Sequence, residues 1–228
     1  MAERLIIFDC DGVLVDSEPL AAEAYVEVYR RHGLGIGPEA VAACVGMKQA
    51  DIIDKIGAET GQRLLAAGEA DLWPVTKELF THRLKPVAGV IDFLSVLSGP
   101  RCVASSSSLE RIHHSLAVTA LAGLVGEGIY SSSMVARGKP APDLFLHAAS
   151  KMGFDPADCA VIEDSPFGIE GAVAAGMTAI GLTAGGHSYE GHAEILRDAG
   201  ADAVCPSWED AARELMARGF VAETVRAG

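Results

Sequence analysis

Two aspartates, one residue apart, follow the first apolar run of the chain. Asp9 and Asp11 stand in the segment FDCDG, directly after the apolar residues 5–8. A strand alternates its side chains, so both carboxylates are expected on the same side. Two like charges at the rim of an apolar core raise each other's pKa or require a cation, which is typical of metal binding or proton transfer. The alternative to a functional site is that Asp11 and Gly12 only form a turn after the strand. An EF-hand loop is excluded, because its glycine and glutamate positions are Leu14 and Leu20 here.

A serine run and a lysine carry groups that suit a phosphate. The serines at 105–108, Ser105 and Ser106 first among them, lie between a predicted strand and a predicted helix. Their hydroxyl and backbone N–H groups can hold a phosphate near a helix N-terminus, and capping of that helix is the alternative. Lys139, in the segment RGKPAPD, stands before a proline-opened helix. Its ammonium can meet a phosphoryl oxygen or an acidic cluster, and a solvated lysine is the alternative.

Glu163 and Asp164 form a second acidic pair, in the segment EDSPFG at the end of another apolar run. Together with Asp9 and Asp11 they would place four carboxylates in one site, which requires a cation. A hard divalent ion fits oxygen ligands, and Mg²⁺ fits best if phosphate and water complete its coordination. A purely structural calcium site is one alternative. Capping of the next helix by Asp164 or Ser165 is another, and it is compatible with metal binding.

The elements that must bring these groups together follow from the hydrophobic periodicity. Between residues 16 and 84 the pattern is helical. Helices are predicted from Pro19 up to Gly33, at 39–44, at 49–56 and at 59–84, the last interrupted by Pro74. Asp16 or Ser17 is expected to cap the first of them. From residue 86 helices at 90–97, 109–117, 143–152, 167–175, 189–199 and 208–217 alternate with strands at 101–105, 128–131, 159–163, 177–182 and 203–205.

This alternation predicts an α/β fold, a doubly wound and mostly parallel sheet with helices on both faces. Residues 1–15 and 86–228 would form this core, and residues 16–85 an inserted all-helical cap domain over the sheet. Ligands of such sheets bind beyond the carboxyl ends of the strands. Because Asp9, Ser105 and Glu163 stand at such ends, we expect them to share one site.

The composition limits the partners. The 228 residues carry 18 basic and 31 acidic side chains, a formal net charge of -13. Nucleic acids and anionic membranes bind clustered basic residues, so neither is expected as a partner. An anionic substrate must then be held by local groups. The apolar run at the N-terminus is too short for a signal peptide or a spanning helix, which predicts a cytoplasmic protein.

Cysteine and histidine spacings do not predict a zinc site or disulfides. The five cysteines are scattered without a CxxC motif and are expected to be buried thiols. His187 and His192 lack the helical glutamate that accompanies zinc-binding histidine pairs. His113 and His114 are expected on a helix surface.

Four segments occur in the order of the four motifs of the haloacid dehalogenase superfamily. They are FDCDGV at 8–13, the serine at 105, GKP at 138–140 and EDS at 163–165. The resemblance spans nearly the whole chain, and the helical block resembles the cap of the branch that contains β-phosphoglucomutases and sugar-phosphate phosphatases. It implies that Asp9 is a nucleophile that forms an aspartyl-phosphate. Asp11 would protonate the leaving oxygen and then deprotonate the attacking water.

The same resemblance implies the groups that bind metal and substrate. The implied Mg²⁺ ligands are the carboxylates of Asp9 and Asp164 and the backbone carbonyl of Asp11, with Glu163 as a further ligand or a support behind them. Ser105 and Lys139 would clamp the phosphoryl oxygens. Lys48, in a cap loop, would contact a hydroxyl or carboxylate of the substrate, and a solvated lysine is the alternative.

These residues favour a phosphatase among the reactions of the superfamily. Its dehalogenases lack the second aspartate, because a leaving halide needs no proton, so Asp11 argues against dehalogenation. The segment DSEP at 16–19 resembles the phosphatases. A phosphomutase is the alternative, although the cap-hinge histidine of the mutases is absent between Pro19 and Ala24. A catalytically silent binding protein of the same fold is a third hypothesis. The expected partner is a small phosphorylated metabolite, a sugar or sugar-acid phosphate, and the oligomeric state is left open.

Overall fold

One six-stranded sheet lies at the centre of the molecule. The computed structural model describes residues 3–126 and 128–221. The strands are β1 (Leu5–Phe8), β2 (Arg101–Ser105), β3 (Gly128–Ser131), β4 (Cys159–Glu163), β5 (Thr178–Leu182) and β6 (Ala203–Cys205). Their order is β3-β2-β1-β4-β5-β6, and all five pairings are parallel. The predicted doubly wound α/β fold is therefore confirmed.

The described ranges contain ten α-helices. They are α1 (Glu18–Arg31), α2 (Pro38–Ala42), α3 (Gln49–Thr60), α4 (Ala66–Arg83), α5 (Val90–Val96), α6 (Leu109–Val118), α7 (Asp143–Met152), α8 (Pro166–Ala174), α9 (His192–Asp198) and α10 (Trp208–Ala217). The helix predicted at 59–84 is wrong at its start. Gly61, with φ +70°, ends α3, because this left-handed conformation suits glycine. Pro74 lies inside α4 without ending it.

Strand β1, one of the two central strands, is buried on both faces. Ile6 and Phe8 face a core shared with α5, α6 and α10, where the rings of Phe93 and Trp208 stack with centroids 4.9 Å apart. Leu5 and Ile7 point to the other face of the sheet, into a second core that α7, α8 and α9 cover. A parallel strand covered by helices on both faces reads as a continuous apolar run, as residues 5–8 do. All five cysteines are buried free thiols, as expected.

Helices α1 to α4 form a third apolar cluster of their own between β1 and α5. The two connections that join them to the sheet run side by side. The backbone N–H of Asp16 donates to the carbonyl of Lys85 at 2.9 Å, and that of Val87 to the carbonyl of Leu14 at 3.0 Å. In the part of the chain that the structure describes, no helix has the length and apolar character needed to cross a membrane.

Candidate active site

Two acidic segments meet where β1 and β4 end. Phe8 lies opposite Ile162 in the parallel pairing of these strands, and the backbone N–H of Asp9 donates to the carbonyl of Ile162 at 3.0 Å. The next residue of β4 is Glu163, so Asp9 and Glu163 leave the sheet next to each other. Ser105 ends β2 on the other side of β1. The structure thus brings together the three strand ends that the sequence analysis assigned to one site.

Lys139 lies between two of these carboxylates. Its Nζ donates to Asp9 Oδ1 at 2.6 Å and to Glu163 Oε1 at 2.5 Å, and its side chain is 1% exposed. Burial by itself would lower the pKa of Lys139, but the two carboxylates outweigh it and raise that pKa, so the ammonium stays charged. Burial raises the pKa of Asp9 well above its usual value, against the charge of Lys139 and together with the charge of Glu163. This lysine is therefore a structural partner of the acids and not a solvated loop residue.

Glu163 has both carboxylate oxygens occupied. Oε1 accepts from Lys139, and Oε2 accepts from the backbone N–H groups of Asp164 and Ser165 and from the Ser165 hydroxyl, each at 3.0 Å. Gly168 packs against this carboxylate so closely that a Cβ there would collide with it. The hydroxyl of Ser165 also accepts from the backbone N–H of Gly168 at 3.0 Å, so the expected capping of α8 by Ser165 is confirmed. In this arrangement Glu163 holds Lys139 and the loop after β4.

The buried acids fit a cation. Asp9, Glu163 and Asp164 offer oxygens that all lie within 4.8 Å of one another. Oδ2 of Asp164 is buried and accepts no hydrogen bond of regular geometry, so its negative charge needs a nearby cation, either the protonated His187 at 2.9 Å or a metal ion. Gly12, with φ +72°, makes room for this carboxylate, because a Cβ there would collide with Asp164. The side chain of Asp11 is not part of this cluster.

His187, which sequence reasoning did not place in the site, lies against Asp164. Its Nε2 lies 2.9 Å from Asp164 Oδ2 and forms an ion pair with it when the imidazole is protonated. Burial by itself would lower the pKa of His187, and the adjacent Asp164 carboxylate raises it above the usual value. His192 Nε2 donates to the backbone carbonyl of Asp164 at 2.7 Å. The two histidines therefore flank the acidic cluster.

Asp11 is held by three side chains. Its Oδ1 accepts from the Ser17 hydroxyl at 2.6 Å and from Arg111 Nη2 at 2.7 Å, and its Oδ2 accepts from the Ser107 hydroxyl at 2.6 Å. Burial by itself would raise the pKa of Asp11, but Arg111 and the two hydroxyl donors hold it below its usual value. Ser17 is the N-cap residue of α1, as expected, but it makes no side-chain capping bond because its hydroxyl donates to Asp11. Asp16, the other candidate, accepts from the backbone N–H of Gly186 at 2.8 Å.

Each member of the serine run has a different partner. Ser105 accepts from the backbone N–H of Ser107 at 3.2 Å, which fixes the turn after β2. Ser106 donates to the carbonyl of Gly46, in the loop between α2 and α3, at 3.0 Å. Ser108 caps α6 by accepting from the backbone N–H three residues on. Within this run, Ser108 caps the helix, while Ser105 and Ser106 line the cavity described below.

A cavity of about 50 Å³ opens between the helical block and the sheet edge. Its lining includes Asp9, Asp11, Ser105, Ser106 and Lys139. Lys48 is not among the described residues that line it, and its side chain lies against Gly138 at the base of the lysine loop.

Sequence reasoning missed two further charged residues of this lining, Glu18 and Arg111. Burial, with the charge of Asp11 adding to it, raises the pKa of Glu18 to about 7. Arg111 stands in the first turn of α6, where the helix dipole disfavours a cation. That mismatch is the sequence signal that could have identified Arg111.

Comparison with known proteins identifies relatives that share most of the chain. A family profile for haloacid dehalogenase-like hydrolases matches residues 3–176. The 6-phosphogluconate phosphatase of Escherichia coli K12 is 30% identical over 185 residues, 80% of this chain and 84% of the relative. Hexitol phosphatase A of the same organism is 34% identical over 192 residues, 78% of this chain and 82% of the relative. The β-phosphoglucomutase of Bacillus subtilis is 28% identical over 196 residues, 80% of this chain and 84% of the relative.

A solved structure extends the likeness to the whole fold. The crystal structure of a conserved haloacid dehalogenase-like protein of unknown function from Agrobacterium tumefaciens is 37% identical, with a TM-score of 0.81 over 95% of this chain and 99% of that one. The chain therefore belongs to the haloacid dehalogenase-like hydrolases, in the branch of the β-phosphoglucomutases and sugar-phosphate phosphatases, and is a phosphoric monoester hydrolase.

Proposed function

We propose that this hydrolase is an Mg²⁺-dependent phosphatase that cleaves a small sugar or sugar-acid phosphate through an aspartyl-phosphate. The observation that carries the proposal is the buried Asp9, paired at 2.6 Å with Lys139, with a second aspartate held two residues later by its own set of donors. A nucleophile and a proton carrier in one short segment suit a reaction in which a carboxylate attacks and an oxygen leaves. The phosphatase relatives support the substrate class.

The acidic cluster suits the metal. Asp9 and Asp164 would hold Mg²⁺ through their carboxylates and Asp11 through its backbone carbonyl. Oδ2 of Asp164 accepts no hydrogen bond and is paired only with His187, a contact that an ion could replace, and this supports a ligand role for Asp164. Glu163, whose two oxygens already accept hydrogen bonds, is better suited to support Lys139 than to bind the ion directly. When bound, Mg²⁺ would neutralise charge on the acids and on the phosphoryl oxygens.

The chemical steps use Asp9 and Asp11. An oxygen of Asp9 attacks phosphorus and forms the acyl phosphate while the bond from phosphorus to the ester oxygen breaks, and that oxygen takes a proton from Asp11. Because Arg111 and the hydroxyls of Ser17 and Ser107 favour the ionised form of Asp11 in the free site, Asp11 would have to take up this proton as the substrate binds. In the second step Asp11 takes a proton from water as the water oxygen attacks the same phosphorus. The bond to Asp9 then breaks, which releases inorganic phosphate and restores both carboxyl groups to their starting states.

The remaining side chains position the phosphoryl group and exclude water. Ser105, Ser106 and Lys139 would clamp its oxygens, and Lys139 is already charged and fixed by the acids. Residues 16–85 would act as the cap, with 1–15 and 86–228 as the catalytic core. The hydrogen bond from Ser106 to Gly46 closes the helical block onto the core and supports this division. Lys48 would approach the substrate only if its side chain left Gly138.

The relative named a β-phosphoglucomutase favours a second candidate function, a sugar phosphomutase. A mutase must return the phosphoryl group to the sugar before water reaches the aspartyl-phosphate. The segment after the first motif has no histidine between Pro19 and Ala24, which favours the phosphatase.

One assay distinguishes these functions. The protein is incubated with Mg²⁺ and a panel of sugar and sugar-acid phosphates, and both free phosphate and isomerised sugar phosphate are measured. We expect phosphate release, loss of it in Asp9→Asn, and a phosphorylated Asp9 peptide in acid-quenched wild-type protein. Asp92→Asn, the same change at an exposed position of α5, is the control. Isomerisation without net phosphate release would support the mutase. Full turnover by Asp9→Asn would refute the mechanism.

A further inference from the structure

A second chamber adjoins the cavity at Asp9, on the side of Arg111. Its volume is about 140 Å³, and it lies between helices α1, α3 and α4 and the start of α6. It shares several lining residues with the first cavity, including Tyr25, Met47 and Arg111. A substrate whose phosphate lies at Asp9 would therefore extend its leaving group into this chamber.

Arg111 gives the chamber its charge. The other described residues that line it are uncharged, and they include Gln49, Trp73 and Thr76. Arg111 also lines the first cavity, but that cavity contains four carboxylates besides, and its lysine, Lys139, is already paired with Asp9 and Glu163. A second negative charge on the substrate would be repelled by those carboxylates and attracted to Arg111. The chamber is the electrostatically favourable place for an additional anion.

The guanidinium of Arg111 is held in place by two contacts and has further N–H groups that can donate. Nη2 is bonded to Asp11, and the guanidinium carbon lies 5.1 Å from the ring centroid of Phe80, a fully buried residue of α4. Its Nε is buried and has no hydrogen-bond partner. The side chain is 20% exposed. Because this side chain lines the chamber and, among the described residues, donates one side-chain hydrogen bond, to Asp11, its exposed part keeps charged donors that a carboxylate would satisfy.

We propose that this chamber binds a carboxylate of the leaving group through Arg111, so that the preferred substrates are phosphorylated sugar acids and not the corresponding neutral sugar alcohols. The inference rests on the proposed phosphatase function and deepens it. Because Arg111 also contacts Asp11, replacing it is expected to slow all substrates. The discriminating quantity is the preference for acid over alcohol, which a purely supporting role for Arg111 at Asp11 would leave unchanged.

Matched substrates test the inference. 6-Phosphogluconate and sorbitol 6-phosphate differ only in a carboxylate against a hydroxymethyl group, and 3-phosphoglycerate and glycerol 3-phosphate, both racemic, form a shorter pair. We expect wild-type kcat/KM to favour the acid by about 10- to 100-fold in at least one pair. Arg111→Gln should abolish that preference, and Arg111→Lys should retain part of it. Arg213→Gln, which removes the same charge from a 59% exposed position on α10, should keep it.

Calorimetric binding to the Asp9→Asn protein separates the two proposals. If the wild type hydrolyses none of the four compounds, the proposed function fails for this substrate range, and the binding preference for acid over alcohol still decides the chamber. Hydrolysis of both pairs without preference for the acid would overturn the chamber assignment and leave the phosphatase intact. A preference that survives in Arg111→Gln would overturn it as well.

Discussion

Glu18 provides a test of the electrostatics of this site. It is the first residue of α1, lines the cavity beside Asp11 and has a pKa raised from 4.5 to about 7, chiefly by burial. Because the pKa is higher in the folded protein than in the unfolded chain, its ionisation destabilises the fold. Stability is fully retained below pH 4.5 and is lost as the pH rises through about 7.

The magnitude follows from that pKa difference. It corresponds to about 3 kcal/mol, and solvent screening of a side chain that reaches the cavity reduces this to about 1–2 kcal/mol. Glu18→Gln keeps the shape and removes the ionisation. The variant is therefore expected to be more stable than the wild type at pH 8, by about 2–8 °C in Tm, and to differ little at pH 5.

Thermal unfolding from pH 5 to 8 measures the effect, in a chelator so that metal binding does not alter the carboxylates. Glu170→Gln, the same change at an exposed position of α8, should give a pH-independent difference from the wild type. A Tm difference between Glu18→Gln and wild type that stays constant over this pH range would refute the reasoning.

Three further predictions concern the nucleophile, the metal and the core. Asp9→Asn should reduce phosphate release roughly 10⁴-fold or more, measured by single-turnover kinetics, because no other side chain would replace the attacking oxygen. Millimolar Mg²⁺ should raise the Tm of the wild type, by the equivalent of about 3 kcal/mol at a hundredfold excess over Kd, and Asp164→Asn should lose most of this increase. Trp208→Ala should destabilise the protein by about 3–5 kcal/mol in urea unfolding, because the side chain is 1% exposed and stacked on Phe93.

Much of the site could be predicted from the sequence, because its strand-borne residues follow apolar runs. Asp9, Ser105 and Glu163 each stand at the carboxyl end of a strand. Parallel pairing brings these ends to one edge of the sheet, and this does not depend on the exact bounds of the helices. The fold class followed from the same alternation. Lys139 was recognised by its proline-rich loop. The alternative, a solvated lysine, could be rejected only because the structure shows its contacts with Asp9 and Glu163.

The missed contacts depend on distances between elements that are far apart in the chain. Arg111 reaches Asp11 across 100 residues, and His187 reaches Asp164 from a loop without helical or strand periodicity. Serine favours the N-cap position, and Ser17 was therefore expected to cap α1. Its hydroxyl donates instead to the buried carboxylate of Asp11, because a hydrogen bond to a charged acceptor is stronger. Side-chain partners of this kind follow from packing and not from local pattern.

The position of β1 in the sheet has a consequence for synthesis of the protein. This strand leaves the ribosome before the other five, yet it is one of the two central strands, and both of its neighbours come later in the chain, β2 from Arg101 and β4 up to Glu163. At 5–20 residues per second, β4 is completed roughly 8–30 s after β1. During that interval the nascent chain carries an apolar strand that lacks at least one of its native partners. Helices α1 to α4, which have their own apolar cluster, are translated in the meantime and can bury their side chains locally before the sheet is complete.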